Sequence, residues 1–311
     1  MEITMKKMVI TGVNGFIGRH AKEYFEKEYE ITGLDLAANY SGEREPDDTM
    51  TYYQCNMSQE SAEMAAIFTG VQPDVILHCA GSANVGASVV NPMADLDGNL
   101  HSLYQLLLAL KSFEKRPEII FLSSAGVYGN PRQLPVRESD VAAPMSPYGL
   151  HKHMGEELCE YYNRIHGYHI RSIRIFSAYG NGLRKQLLWD IYQKYQNTGR
   201  IELFGTGEET RDFIHVSDIM RAIDLILSYD GPEAVINVAN GEEVSIRELA
   251  EIYAEKLGAP QNIVSFNGAV KEGDPRNWRA DISLLRKLGY EKQMELSDGI
   301  AAYVDWAKAQ D

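Results

Sequence analysis

Tyr148 and Lys152 stand four residues apart in Tyr148-Gly149-Leu150-His151-Lys152. On a helix, that spacing puts a phenol and an ammonium on one face. With 18 tyrosines in the chain, such a pair has little weight alone, and its setting supplies the rest. Ser146 suits an N-cap and Pro147 a first turn, so a helix is expected from Pro147 to Ile165. Upstream, the apolar strand Glu118 to Leu122 runs into Ser123-Ser124-Ala125-Gly126-Val127-Tyr128-Gly129. A phenol of pKa ~10 is a poor base at neutrality, and nearby positive charge favours its phenolate. Lowering it to ~7 takes on the order of 4 kcal/mol, within reach of two close cations in a partly dry site. Tyr148 could then take the proton of a substrate hydroxyl while Ser124 hydrogen-bonds the same oxygen.

A second group of residues says what would accompany that proton. Thr11-Gly12-Val13-Asn14-Gly15-Phe16-Ile17-Gly18 follows a first strand at Met8-Val9-Ile10 and opens a helix from Phe16 to Glu28. Gly12 allows the tight turn, Gly15 lets backbone approach a pyrophosphate, and Gly18 lets helix pack on strand. The helix N-terminus adds unpaired N–H groups and partial positive charge. Asp35 ends the second strand, Ile31 to Leu36, where a carboxylate can accept both hydroxyls of an adenosine ribose. It repels a 2′-phosphate, and Leu36-Ala37-Ala38 offers no arginine to hold one, so NAD is favoured over NADP. A nicotinamide ring would be the second cation beside Tyr148, and a hydride could leave the carbon whose hydroxyl proton Tyr148 removes.

The elements that must position these residues alternate. Helix Ser58 to Phe68, strand Asp74 to Cys79, helix Met93 to Phe113 and strand Glu118 to Leu122 follow the first two strands, and strand Ile170 to Phe176 follows the long helix. Strand and helix at this spacing predict right-handed crossovers in an α/β fold, a Rossmann-type doubly wound parallel sheet. Continuous apolar runs such as Val75-Ile76-Leu77 fit strands covered on both faces. After residue 177 the elements shorten and glycine turns grow denser, with strands at Ile201 to Phe204 and Val235 to Val238. Helices are expected there at Ser245 to Leu257, Ile282 to Leu288 and Asp298 to Ala309. The division reads as residues 1–176 for the NAD-binding Rossmann domain and 177–311 for a smaller C-terminal α/β substrate domain. Asn39 to Thr49, rich in charge and turn residues, is the expected flexible stretch.

Composition bounds the partners. The chain has 311 residues, 44% of them hydrophobic and 24% charged, as in an ordinary globular protein. The formal net charge of −14 argues against nucleic acid or an anionic membrane as a partner. Cys55, Cys79 and Cys159 are odd in number and widely spaced, fitting a reducing cytosol rather than a disulfide framework or a zinc site. No apolar run approaches the ~18–20 residues of a membrane span, and the N-terminus lacks a signal-peptide pattern. A cytoplasmic protein without a metal centre is expected.

Several motifs in one order carry a resemblance. Besides those above they are His78-Cys79-Ala80-Gly81, the run Val85-Gly86-Ala87-Ser88 through Pro92 to Asn99, Arg174 to Gly180, Arg211-Asp212-Phe213-Ile214-His215-Val216, and Gly273-Asp274-Pro275. Over nearly its whole length the chain resembles the extended short-chain dehydrogenase/reductases, and within them the nucleotide-sugar epimerase/dehydratase family of the UDP-glucose 4-epimerase kind. The resemblance implies an NAD-dependent epimerase of a nucleotide-diphosphate sugar, acting at C4 through a transient 4-keto sugar. It implies that Asn56 and Met57 flank the adenine, that Cys79, Ala80 and Gly81 line the cofactor, and that Lys152 also holds the nicotinamide ribose. Asn99 and Phe176 would contact the cofactor end of the site, and Arg211 would grip the substrate diphosphate. It further implies a homodimer through helices 93–113 and 147–165. Departures sharpen the reaction. Sugar 4,6-dehydratases of the family carry an Asp-Glu pair where this chain has Ala125 and Gly126, so elimination of water is disfavoured. Asn56 stands where Asp is usual, Ser177 replaces an Asn near the diphosphate, and Lys271 replaces an Arg that nearby Arg276 could make up for. Leu183-Arg184-Lys185-Gln186 is expected to face the substrate. Two other readings use the same residues: a reductase of a nucleotide-linked 4-keto-6-deoxysugar, and a non-catalytic dinucleotide-sensing protein.

Overall fold

The computed structural model describes residues 5–41, 50–59, 61–269 and 275–310. β1 (Lys6–Thr11) leads to α1 (Phe16–Phe25), β2 (Tyr29–Asp35), β3 (Met50–Gln54), α2 (Ser61–Val71) and β4 (Val75–His78). Next come α3 (Val85–Val90), α4 (Pro92–Leu96), a π-turn at Asp97–His101, α5 (Ser102–Ala109) and β5 (Glu118–Ser124). A 3₁₀ turn at Ala125–Tyr128 precedes α6 (Pro147–His166) and β6 (His169–Ile175). Then follow β7 (Ser177–Tyr179), α7 (Gln186–Thr198), β8 (Ile201–Leu203), β9 (Thr210–Arg211), β10 (Phe213–His215) and α8 (Val216–Leu227). The chain ends with β11 (Val235–Val238), β12 (Val244–Ser245), α9 (Ile246–Leu257), β13 (Val264–Phe266), α10 (Ser283–Lys287) and α11 (Leu296–Lys308).

Seven strands make one sheet in the order β11-β6-β5-β4-β1-β2-β3. β1 pairs in parallel with β2 and with β4, β2 with β3, and β4 with β5, the doubly wound arrangement expected of the alternating pattern. The order reverses between β1 and β4, and ligands of such sheets bind at the carboxyl ends of the strands at that point. There Thr11 lies opposite His78. Thr11 Oγ1 and His78 Nδ1 are 2.8 Å apart, and the Cys79 amide donates to the Thr11 carbonyl at 3.1 Å. All four residues of β4 are buried, as are Ile119 to Leu122 of β5, because helices cover both faces. One core cluster joins Val9, Leu34, Ile76 and Phe121 of the strands to Leu103 and Leu107 of α5 and Cys159 of α6.

The helix expected over 93–113 is three elements. Asn91 caps α4 by accepting from the Ala94 amide, with Pro92 at its first position. The winding then widens at Asp97–His101, where buried Asn99 sends its amide back to the Asp95 and Ser82 carbonyls, each at 3.2 Å. Such a bond competes with the regular ladder. β3 has too little apolar content to be read from sequence, four of its five residues being at least partly exposed. Helices α7 and α8 are not anticipated either, although α8 buries Ile219, Met220, Ile223 and Ile226 at helical spacing. Ser58 belongs to a turn on Asn56 Oδ1 (2.9 Å), ahead of α2 rather than within it. Of the stretch 39–49, residues 42–49 lie outside the described residues.

The chain forms two compact units. The first comprises Met1–Val127, Ser146–Arg174 and Ile226–Ile236; the second comprises Tyr128–Met145, Ile175–Leu225 and Asn237–Asp311. The chain thus crosses between units at Val127, well before 176. In the second unit the buried Asp212 carboxylate accepts the backbone amides of Asn240 (2.9 Å), Gly241 (3.0 Å) and Ala280 (3.0 Å), tying three segments together. No helix among the described residues is long and apolar enough to cross a membrane.

Candidate active site

In the first unit, Gly12 adopts φ +65°, a conformation that favours glycine. A Cβ there would lie 2.7 Å from the Ala80 backbone, and one on Gly18 would lie 2.3 Å from the Gly12 carbonyl oxygen. Gly15 is the N-cap of α1, with no side-chain cap and no acid in the first turn. The turn is therefore a cradle of backbone with N–H groups at its mouth, and it fits a dinucleotide's pyrophosphate. Phe16 and Ile17 begin the helix, half-buried. Asp35 sits against the same turn, its Oδ2 accepting the Asn14 amide at 2.9 Å. The Asn14 side chain is used elsewhere: Nδ2 donates to the Asn39 carbonyl and to Tyr52 Oη, and Oδ1 accepts the Ser41 amide. It shapes the loop after β2.

Asn56 likewise spends its side chain on the Ser58 turn, and the Met57 side chain packs into the core cluster. Any contact of Met57 with an adenine would be through backbone. Cys79 and Ala80 are half-buried and Gly81 is exposed at the end of β4. Asn99 is fully buried, with its Oδ1 unpartnered at the place a Gly81 Cβ would touch, 2.5 Å away. Among the described residues, no group of three histidines, cysteines or acids is placed to hold a metal.

Ser124, Tyr148 and Lys152 are brought together at the end of β5 and the start of α6. Ser146 caps α6 by accepting the Gly149 amide at 3.1 Å, with Pro147 in the first turn. Buried Ser88 takes the Tyr148 amide at 3.2 Å, so α3 anchors the helix where the phenol leaves it. Tyr148 and Lys152 are both buried, and Ser124 is half-buried. The Ser124 side chain favours the ionised form of the phenol. A Cβ on Gly126 would stand 3.3 Å from Ser124 Oγ and 3.5 Å from Tyr148 Cε1, so any side chain there would crowd the pair.

The electrostatics set what the phenolate costs. Burial pushes the Tyr148 phenol up to about 12, and only the Ser124 side chain works against it, Asp95 adding to the rise. Lys152 donates to the Leu122 carbonyl at 2.8 Å and lies 4.9 Å over the Phe121 ring, and burial draws its ammonium down to about 8. Reaching neutrality from about 12 takes on the order of 7 kcal/mol, so a second positive charge is required.

In the second unit, Phe176 is buried between Tyr128 and Trp278, with ring centroids 6.1 and 6.0 Å away. Ser177 begins β7, its amide on the Asp212 carbonyl. Arg211 donates to the carbonyls of Thr210 (2.7 Å) and Arg276 (3.2 Å), and its guanidinium lies 5.4 Å over the Trp278 ring. Asp212, its sequence neighbour, spends its carboxylate on backbone amides. Lys271 lies outside the described residues. Leu183 is buried with its carbonyl on Tyr303 Oη, and Arg184 bonds Gln310, so much of that segment is committed internally. Sequence reasoning missed Ser88, Trp278 and the pair Asp95–His151. None forms a local pattern with the residue it supports.

Comparison with known proteins agrees with this geometry. The sequence model of the NAD dependent epimerase/dehydratase family matches residues 8–239. A putative UDP-glucose 4-epimerase of Methanocaldococcus jannaschii is 30% identical across 97% of this chain and 98% of its own length. A UDP-glucuronate 4-epimerase of Thermodesulfobacterium geofontis is 29% identical across 96% and 95%. Among solved structures, the UDP-N-acetylglucosamine 4-epimerase from Methanobrevibacter ruminantium superposes with a TM-score of 0.89, 26% identical over 99% of this chain and 100% of that one. The UDP-glucuronic acid 4-epimerase from Bacillus cereus, in complex with UDP-glucuronic acid and NAD, gives 0.88 at 26% identity over 98% and 100%. With the family model spanning residues 8–239, a backbone cradle at the switch point and Ser124, Tyr148 and Lys152 gathered at the end of β5, this chain belongs to the NAD dependent epimerase/dehydratase family.

Proposed function

We propose that the protein epimerises a UDP-sugar at C4. The observation that carries the reading is the Ser124 hydroxyl and the buried Tyr148 phenol facing the same spot at Gly126, with Lys152 one turn further along the same helix. Tyr148 takes the proton of the C4 hydroxyl, and Ser124 donates to that oxygen as it becomes a ketone. Bound NAD supplies the acceptor, and then the donor, of the C4 hydride, and its positive ring is the second cation the buried phenol needs. Gly12, Gly15, Gly18 and the first turn of α1 hold the pyrophosphate, Asp35 the adenosine ribose, and Lys152 the nicotinamide ribose. Once the 4-keto sugar has turned over, Tyr148 returns the proton and the opposite epimer leaves. Ala125 and Gly126 carry no proton, which supports epimerisation over dehydration. In the second unit Arg211, Ser177 and Lys271 are assigned to the substrate diphosphate.

Residues 93–113 and 147–165 are assigned to a homodimer interface. Met93, Tyr104, Leu150, Met154, Tyr161 and Ile165 are exposed there, an apolar stripe on neighbouring helices.

The test is direct. Denatured protein should release NAD, and native protein should interconvert a UDP-hexose with its C4 epimer without added cofactor. Tyr148→Phe should lose at least about a hundredfold in kcat. Consumption of NADH with a 4-keto sugar, and no interconversion, would make the protein a reductase instead.

A further inference from the structure

We propose that Asp95 and His151 are positioning residues of this reaction: a buried carboxylate–imidazole pair that fastens the helix carrying Tyr148 and Lys152 to the π-turn carrying Asn99. The inference rests on the reading of Tyr148 as the base. Asp95 is 4% exposed and His151 7%. Their contact, His151 Nδ1 to Asp95 Oδ2, is 2.6 Å. An ionised carboxylate only accepts, so Nδ1 carries the proton and the tautomer is fixed. The other carboxylate oxygen accepts Asn99 Nδ2 at 3.1 Å. One side chain therefore joins α4, the widened turn and α6. His151 immediately precedes Lys152, so any slip of the pair is transmitted to the ammonium.

Asp95 has a second effect, through charge. The groups that bear on Lys152 are Asp95, Cys79, Cys159 and Glu156, and His78 at the end of β4 interacts with it. Burial leaves His78 neutral, with a pKa of about 3, and pushes both cysteine thiols up, so these three carry no charge near neutrality. The Glu156 carboxylate is engaged by Arg174, at 2.9 and 2.7 Å, and by Ser123, with His153 3.7 Å away. Asp95 is the largest influence opposing the loss of the Lys152 proton. It also raises the Tyr148 phenol, a cost in the fraction ionised that is accepted for a fixed cation.

Four variants read against pH, with the UDP-hexose turned over fastest, test the pair. Asp95→Asn keeps the shape and removes the charge; its one amide oxygen can still accept from Asn99, and its NH2 can donate to His151 Nδ1 once the imidazole takes its other tautomer. Its kcat profile should lose its alkaline limb about one pH unit earlier than the wild type, with KM changed less than about twofold. His151→Gln, which retains an N–H donor, should keep most of kcat, whereas His151→Leu should lose about tenfold with the limb unmoved. Melting curves and released NAD establish that each variant is folded and loaded. A limb in Asp95→Asn superimposed on the wild type, while Tyr148→Phe is inactive, overturns the proposal alone. Undiminished turnover in Tyr148→Phe overturns the underlying site reading instead. Should Asp95→Asn not be recovered folded, the two His151 variants decide: equal kcat in both refutes the positioning role.

Discussion

Glu156 shows how much of the catalytic helix's placement depends on one buried carboxylate. It takes Arg174 through two parallel bonds and Ser123 Oγ at 2.5 Å, one turn beyond Lys152 and one residue before Ser124. Glu156 and Arg174 are each 5% exposed, so removing one partner strands the other charge out of water. Glu156→Gln should therefore cost about 3 kcal/mol of unfolding free energy, read from the urea midpoint at unchanged m-value. The double replacement Glu156→Met with Arg174→Met should cost less than the single, because it abolishes the stranded charge along with the pair. If the double variant is the less stable of the two, packing rather than charge governs this site. The same logic explains why so little of the site's support could be read from sequence. Glycines and a Tyr–Lys pair carry their meaning in local spacing, whereas Glu156 and Arg174, Asp95 and His151, or Ser88 and the Tyr148 amide meet only once the sheet has formed.

At the level of elements, α6 was legible because its ends are written in side chains. Ser146 accepts the Gly149 amide, Pro147 needs no donor in the first turn, and Gly167 closes the helix at φ +62°. Ser146→Ala should cost about 1 kcal/mol. It should also lower kcat more than KM, because Tyr148 lies in the first turn that frays; thermal melts and steady-state kinetics on one preparation check both. A variant that loses stability with kcat intact would show that Ser88 alone holds the phenol in place. The parallel sheet and β11 were legible for a similar reason, as uninterrupted apolar runs. The break of residues 93–113 at Asp97–His101 was not, since it depends on Asn99 bonding backward to Asp95 and Ser82. α8 is not legible despite its clean apolar face, because it begins at Val216, the last residue of the Arg211 to Val216 motif. β3 is an edge strand whose exposed residues give no alternation strong enough to detect.

The exposed stripe of Leu150, Met154, Tyr161 and Ile165 recurs at helical spacing on α6, and Met154→Glu should convert a dimer to a monomer in light scattering while leaving the melting curve of the fold in place. A monomeric wild type would remove that assignment. Stability against acid is set from the interior. His78 is fully buried, and burial followed by the Lys152 charge draws its pKa down to about 3 from an ordinary 6.5. Its Nδ1 contacts Thr11 while its Nε2 has no partner, so the imidazole is held neutral. The unfolded chain takes up a proton near pH 6.5 that the folded chain refuses until about 3, so the stability is full above that window and is lost as pH falls through it. The slope approaches about 1.4 kcal/mol per pH unit for one such group. Asp212, raised to about 7 by burial, has the opposite sign: the folded chain keeps a proton that the unfolded chain releases, so its contribution falls as pH rises toward 7. Comparing wild type with His78→Asn cancels Asp212 and every other common group. The difference in unfolding free energy should be flat above pH 7 and should shrink steadily below 6.5, as the wild type loses the advantage its neutral histidine gave; parallel curves across that window would show that His78 is protonated without cost in the folded state.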